Sequence, residues 1–203
     1  PMFLYSFHIA WLVALLVLLI LARWIGKRTN YGALGILVDG RGRYSLTHFQ
    51  IVLWTLVILS SLFGVLVSQG FDPAAVQLSP ELLGLMGVSV GSGVLAAGVK
   101  GTKDGPGSAA RVARIGPFKI SDGTTTTISA HFAQIWLEEE GDQADKVVNI
   151  TKYQNFIFTL VIVVFYIMTA CRQAGVPTLP ESIVWLIGIS HAGYVGGKIP
   201  NKR

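Results

Sequence analysis

Charged residues and cysteine are scarce in this chain of 203 residues. Asp, Glu, Lys and Arg make up only 13% of it, whereas a soluble domain carries about 25% charged residues. The single cysteine, Cys171, excludes an internal disulfide and a cysteine-based metal cluster. No nucleophile, base and orienting group occur together in a recognisable motif. We therefore expect no enzymatic activity, no cofactor and no metal site.

Apolar residues fill the chain instead. They make up 52% of it, and the mean hydropathy is +0.58. Residues 1–22 contain no charged side chain, and the cations Arg23, Lys27 and Arg28 come after this run. A secretory signal places its cations before the apolar region, so we expect a retained membrane helix. The composition predicts a multi-pass helical membrane protein.

Two stretches of the chain are similar to each other. Residues 46–57 align with residues 150–161, and a Pro-Glu pair followed by an apolar, glycine-containing run occurs at Pro80 and again at Pro180. Such an internal repeat indicates that one helical-hairpin unit occurs twice in the chain. The segments predicted on this basis are an N-terminal transmembrane helix (1–28), a turn segment (29–43), a first hairpin repeat (44–100), a cap and linker (101–149), and a second hairpin repeat with a basic tail (150–203).

The predicted fold is an all-α membrane protein with five transmembrane helices and a small cytoplasmic α/β cap. The last three helices are expected at residues 82–99, 153–171 and 182–197, and the second within residues 44–71. A strand over residues 36–38 is expected to enter a tight turn. In the cap, the threonine-rich run predicts a β-hairpin of residues 117–120 and 124–129 around Asp122-Gly123. Residues 100–107 are predicted as a linker and residues 130–140 as a helix.

The distribution of cations predicts orientation. Of sixteen lysines and arginines, only Arg172 falls on the side opposite to the other fifteen. This pattern places the N-terminus outside and the polar segments and C-terminus in the cytoplasm. The net charge of +5 therefore reports topology and attraction to the lipid bilayer rather than nucleic-acid binding. The repeats run parallel, unlike the inverted repeats of many transporters.

Small residues recur at every fourth position in the third and fifth predicted helices, at Gly87 and Gly91 and at Gly188, Ala192 and Gly196. This spacing favours close helix packing. A hinge or a permeation path is the alternative reading.

Five polar residues are candidates for a functional role. His191 lies near the middle of the fifth helix, where it could form an interhelical hydrogen bond or handle protons or a ligand. Gln50 and Gln154 occupy equivalent repeat positions and are interpreted as interfacial anchors or hairpin-to-hairpin bonds, with substrate binding as the alternative. Glu81 and Glu181 suit the positive end of a helix dipole. They could alternatively form an acidic ring at a pore mouth.

Two motifs resemble those of a bacterial family of multi-pass membrane proteins of uncharacterised activity. The first is S-L-x-x-F-Q-x-x-x-W-T, found at residues 45–55, and the second is G-I-S-H-A-G-Y-x-G-x-K, found at residues 188–198. The first repeat departs from the second motif, since it has Val90-Gly91-Ser92-Gly93 in place of the histidine and tyrosine. The resemblance implies a bacterial origin and a shared bundle, and it implies no activity.

The sequence favours a non-enzymatic membrane subunit that self-associates or anchors a larger complex. Its partners would be the bilayer, further copies of the chain or other membrane subunits. The alternative is an oligomeric pore or channel, including a signal-gated effector.

Overall fold

A computed structural model describes residues 2–105 and 111–199 of the chain. Pro1, the end of the predicted linker at residues 106–107 and the basic tail beyond residue 199 lie outside the described residues. The described elements, in chain order, are α1 (Met2–Lys27), a 3-10 helix (Gly32–Leu37), α2 (Leu46–Ser68), a 3-10 helix (Pro73–Ala75), α3 (Pro80–Asp104), β1 (Gly116–Lys119), β2 (Thr125–Ile128), a 3-10 helix (Phe132–Ile135), α4 (Ile150–Gln173) and α5 (Glu181–Gly196).

Three of the long helices begin at a polar capping residue. The side chain of Ser45 accepts a hydrogen bond from the backbone N–H of His48, that of Ser79 from Leu82, and that of Asn149 from Lys152. Each cap satisfies a backbone donor that has no partner within the helix. Pro80 occupies the first position of α3, where its missing N–H is not needed.

Four helices are long and apolar enough to cross a membrane among the described residues: Ser6–Lys27, Leu46–Ser68, Pro80–Asp104 and Ile150–Gln173. The sequence predicts a fifth span, but α5 has only 16 residues, about 24 Å at 1.5 Å per residue. Non-helical chain leads from α4 to α5, and Pro177 and Leu179 within it are buried.

The helices pack around one apolar core. Its largest members come from α1, α2 and α4: Phe7, Trp11, Trp54, Ile58 and Tyr166. Outside this core, α1 has one packed side and one open side. It packs on α2 and on the Gly32–Leu37 segment, and most of its apolar side chains remain exposed. In a bilayer these side chains face lipid.

A polar cap covers one end of the helices. We use the word cap for residues 28–45 and 111–149, which are joined by backbone hydrogen bonds such as Ile115 N–H to the Arg41 carbonyl. The predicted hairpin is confirmed: β1 and β2 pair antiparallel, with Phe118 opposite Thr126. Phe118 and Ile128 pack with Ala113 and Ala144 in a small core of their own.

Three local predictions are wrong. Residues 100–104 of the predicted linker continue α3, which ends at Asp104. Residues 130–140 form only the short 3-10 helix Phe132–Ile135, because beyond Trp136 the chain turns into an isolated bridge between Leu137 and Val148. The region before Asp39 is a 3-10 helix instead of a strand. The tight turn is present, since a single bridge joins Val38 to Tyr44. That the two hairpins are repeats of one unit stays a prediction.

Candidate functional site

A polar cluster lies inside the helix bundle, one to three turns from the cap. The side-chain nitrogen of Gln50 on α2 is 3.0 Å from Asn155 Oδ1 and 2.7 Å from Thr159 Oγ1, both on α4. The same nitrogen is 3.4 Å from His191 Nε2 on α5. On the other side of the imidazole ring, Nδ1 is 2.5 Å from Ser92 Oγ on α3. The cluster thus joins α2, α3, α4 and α5 by side-chain hydrogen bonds.

One assignment of hydrogens that fits these distances leaves His191 neutral. In it the Gln50 amide is the donor, His191 Nε2 accepts and Nδ1 carries the proton. Nδ1–H then donates to Ser92 Oγ, which in turn donates to the Ser89 carbonyl at 3.1 Å. The amide has two hydrogens and three acceptors around it, and His191 is the most distant of the three. His191 is therefore a neutral hydrogen-bonded residue in this arrangement.

Some buried polar atoms among the described bundle residues are not hydrogen-bonded. Asn155 Nδ2, Ser89 Oγ and Ser190 Oγ are buried and have no hydrogen-bond partner within the described part of the chain. Buried polar groups are generally satisfied by protein or water. Water molecules are the usual partners of buried polar atoms that lack a protein partner.

An apolar layer separates this cluster from the opposite end of the bundle. It includes Trp54, Val57, Ile162, Val163 and Ile187, all buried. Beyond it lie two further hydrogen bonds, between Ser61 and Tyr166 and from Trp11 to Ser60. A single chain therefore has polar groups on both sides of a closed hydrophobic layer.

The second notable site is a buried ion cluster where the helices meet the cap. Its centre is Glu139, which is 5% exposed. The distances to Glu139 Oε2 are 3.8 Å from Arg41 Nη1, 3.4 Å from Lys100 Nζ and 3.8 Å from Lys152 Nζ. Lys198 pairs with the other oxygen of the same carboxylate. One side chain thus draws together the turn after α1, α3, α4 and the end of α5.

Further ion pairs surround this centre. They join Arg43 to Asp145 at 2.8 Å, Lys103 to Glu140 at 2.6 Å and Arg41 to Asp104 at 3.2 Å. Removing one partner of a buried pair leaves an uncompensated charge, at a cost of about 3–5 kcal/mol. The ion cluster therefore ties the cap to the helices.

Asp39 closes the turn between α1 and α2. Burial alone would raise the pKa of this carboxyl, but Lys100 Nζ at 2.6 Å and the backbone N–H groups of Arg41 and Arg43 outweigh it and lower the pKa below its ordinary 3.8. Since folding lowers the pKa, the ionised Asp39 stabilises the fold above its ordinary pKa and loses this contribution as the pH falls through the lowered value. Beside the turn lies a cavity of about 320 Å³, with Asp39, Lys100 and His48 among its walls.

Gln50 is central to the interior cluster, but Gln154 is not. Gln154 is exposed, and its neighbour Asn155 faces the bundle in its place. Successive residues of a helix point about 100° apart. The repeat alignment therefore gives the correct depth along α4, but the side chain that faces the bundle there is the next one in sequence. Glu81 and Glu181 lie in the first turns of α3 and α5, as predicted. Glu181 accepts a hydrogen bond from Trp185 Nε1 at 3.0 Å.

The predicted packing residues face outward. A Cβ atom built on Gly87, Gly91, Gly188 or Gly196 would meet nothing within 4 Å, and Ala192 is exposed. They do not make close helix contacts within the described chain. Other glycines do so: a Cβ on Gly64 would lie 3.0 Å from Phe7, and one on Gly93 would lie 2.9 Å from Thr47.

Sequence reasoning missed Glu139, Asn155 and Ser92. Glu139 is one of three consecutive glutamates, which resemble a solvated charged run, and nothing local distinguishes the one that is buried. In the repeat alignment Ser92 lies next to the position that His191 occupies in the second repeat. This alignment is the sequence feature that could have identified Ser92. No protein-family model, curated protein or solved structure matches this chain.

Proposed function

We propose that this protein is a non-enzymatic membrane scaffold that self-associates through the outer surfaces of α3 and α5 and carries its cap at the cytoplasmic face of a bacterial inner membrane. The observation that supports this proposal best is the open stripe of small residues. On α3 it consists of Gly87 and Gly91, continued by Gly98, and a Cβ at each of these positions would meet nothing within 4 Å.

Glycine in a helix costs about 1 kcal/mol relative to alanine. Inside the bundle, Gly64 and Gly93 offset that cost by letting a neighbouring side chain approach the helix backbone. The outward glycines of α3 have no such neighbour within the described residues. A second helix lying in this stripe would gain the close van der Waals contact that drives helix association in lipid.

We assign the partner as a second copy of this chain. A partner must itself present a small, uncharged helix face, and the chain has two such faces, on α3 and on α5. A rigid protomer suits this role, because the ion cluster around Glu139 fixes the cap to several helices at once. Anchoring of other membrane subunits by the same faces is a weaker form of the proposal.

The test is the assembly state of stripe variants. Gly91→Leu and Ala192→Leu should shift the protein from oligomer to monomer in mild detergent, measured by native mass spectrometry, without lowering its thermal stability. Val164→Phe is the matched control, because it adds bulk at a position on α4 that is 55% exposed. A parent protein that is monomeric at all concentrations in both detergent and nanodiscs would refute the proposal.

The interior polar cluster favours a second candidate, an oligomeric pore or a signal-gated channel. Polar groups on both sides of an apolar layer are the arrangement of a hydrophobic gate. Ion flux in liposomes distinguishes the two candidates, because a scaffold gives no flux above that of empty vesicles.

A further inference from the structure

The junction between α1 and α2 contains an apolar cleft with a cation at its edge. The cleft has a volume of about 300 Å³ and lies between α1, the Gly32–Leu37 segment and α2. Leu19, Ala33, Phe49 and Leu53 are among its walls. Arg23 is the charged residue among the side chains that line it.

Two glycines let the Gly32–Leu37 segment, which forms one wall of the cleft, approach the end of α1. A Cβ on Gly26 would lie 2.5 Å from the Ala33 carbonyl oxygen, and one on Gly35 would lie 2.8 Å from that of Gly26. Only glycine permits such an approach, so the 3-10 segment folds back against the end of α1. The apolar side chains of this segment then lie beside α1 and line the cleft. One of them, Leu34, is 49% exposed.

The cations at this end of α1 differ from those in and around the ion cluster. Among the described residues, eight lysines and arginines are ion-paired: Arg41, Arg43, Lys100, Lys103, Arg111, Arg114, Lys152 and Lys198. Across the described residues, neither Arg23 nor Lys27 forms an ion pair with a carboxylate. The first carboxylate in the sequence is Asp39, and it is held by Lys100. Arg23 and Lys27 are four residues apart and share one face of α1.

Aromatic residues place this region at the membrane surface. Trp24 is 53% exposed, Tyr31 is 39% exposed, and the Arg28 guanidinium lies 4.8 Å from the centre of a Trp24 ring. Tryptophan and tyrosine concentrate at the level of the lipid headgroups. Cations without a carboxylate partner at that level, beside an apolar cleft, match the two parts of a phospholipid.

We propose that this cleft is a binding site for one anionic phospholipid. An acyl chain occupies the apolar cleft, and the headgroup phosphate binds Arg23 with support from Lys27. An anionic headgroup is preferred over phosphatidylcholine, because the choline cation of the latter faces two unpaired cations of the protein. Each such cation contributes about 1 kcal/mol to the attraction of an anionic lipid, which corresponds to about a fivefold preference.

Native mass spectrometry of the full-length protein tests the site, with phosphatidylglycerol and phosphatidylcholine of identical acyl chains added in equal amounts. The parent should retain phosphatidylglycerol in preference. Arg23→Gln should lower its occupancy about fivefold, and Arg23→Lys should preserve it. Ala33→Leu, which fills the cleft, should lower the occupancy of both lipids.

The controls separate a site from diffuse attraction. Lys119→Gln removes an exposed cation from the cap hairpin, and Arg172→Gln removes one from the last turn of α4. Both should bind phosphatidylglycerol as the parent does. The proposal fails if Lys119→Gln loses as much lipid as Arg23→Gln, if Arg23→Gln keeps parental occupancy, or if Ala33→Leu has no effect. Unchanged elution in size-exclusion chromatography verifies that each variant is folded.

Discussion

His191 is the residue on which the scaffold and pore hypotheses differ most. Its two ring nitrogens engage Ser92 on α3 and Gln50 on α2, and Gln50 in turn engages Asn155 and Thr159 on α4. Each of these contacts joins α5, directly or through Gln50, to another helix. A histidine used in this way holds helices together in its neutral form. It needs no change of protonation to do so.

We expect His191→Gln to retain the fold, because an amide can both donate and accept. His191→Leu should lower the free energy of unfolding by about 1 kcal/mol, the usual size of a hydrogen bond between membrane helices. The measurement is thermal unfolding in detergent together with liposome ion flux from about pH 5.5 to 8, which brackets the ordinary histidine pKa. A flux that switches with pH in the parent and disappears in His191→Gln, with unfolding unchanged, would favour the pore.

At the scale of the elements, glycine has two different uses in the helices. Gly64 on α2 admits Phe7 and Trp11 of α1, with the nearest ring atom 3.0 Å from a built Cβ. Gly91 on α3 has open space at the same distance. The first glycine serves the fold of one chain, and the second is available to another molecule.

Gly64→Leu should therefore destabilise the protein by about 1–3 kcal/mol, because the larger side chain overpacks the contact between α1 and α2. Gly91→Leu is the matched control and should leave the unfolding temperature of the protomer unchanged or higher. Both are measured by thermal unfolding in detergent at a concentration where the protein is monomeric. Equal stability of the two variants would contradict the assignment of Gly64 to the interior.

The long helices were predictable from the sequence because each combines an apolar run with a polar cap, as at Ser45 and Asn149. The β-hairpin was predictable from its threonines and the Asp122-Gly123 turn. Helix rotation was not: Gln50 and Gln154 align in the repeats, but Gln50 is buried whereas Gln154 is exposed and its neighbour Asn155 is buried. The repeat alignment gives the level of a residue more reliably than its direction. The partners of Glu139 were hidden because they lie far apart in sequence, and only the folded bundle brings them together.

For the whole molecule, the question is which side of the membrane carries the cap. The loop between α2 and α3 and the β1–β2 hairpin lie at opposite ends of the bundle, because α3 runs from one to the other. Among the described residues, every lysine and arginine except Arg172 lies toward the cap end of the helices or in the cap, so we expect the cap to face the cytoplasm.

Cysteine labelling in a Cys171→Ser background tests this orientation. Ala74→Cys should react with a membrane-impermeant maleimide added to intact spheroplasts, whereas Lys119→Cys should react only after lysis. Both positions are exposed in the folded chain, so burial does not explain a difference. Labelling of Lys119→Cys from outside would reverse the proposed topology.

The placement of Glu139 also dictates the order in which the molecule can be completed during synthesis. Its four cationic partners are at positions 41, 100, 152 and 198, and a chain emerges from the ribosome N-terminus first. When Glu139 is made, only Arg41 and Lys100 are present. Lys152 is made after α4 has begun, and Lys198 is made after α5 has ended. The full set of contacts to Glu139 can therefore form only when the last helix has been synthesised. A nascent chain halted before Lys198 would contain Glu139 with only three of these four cationic partners and would lack the contact that ties the end of α5 to the cap.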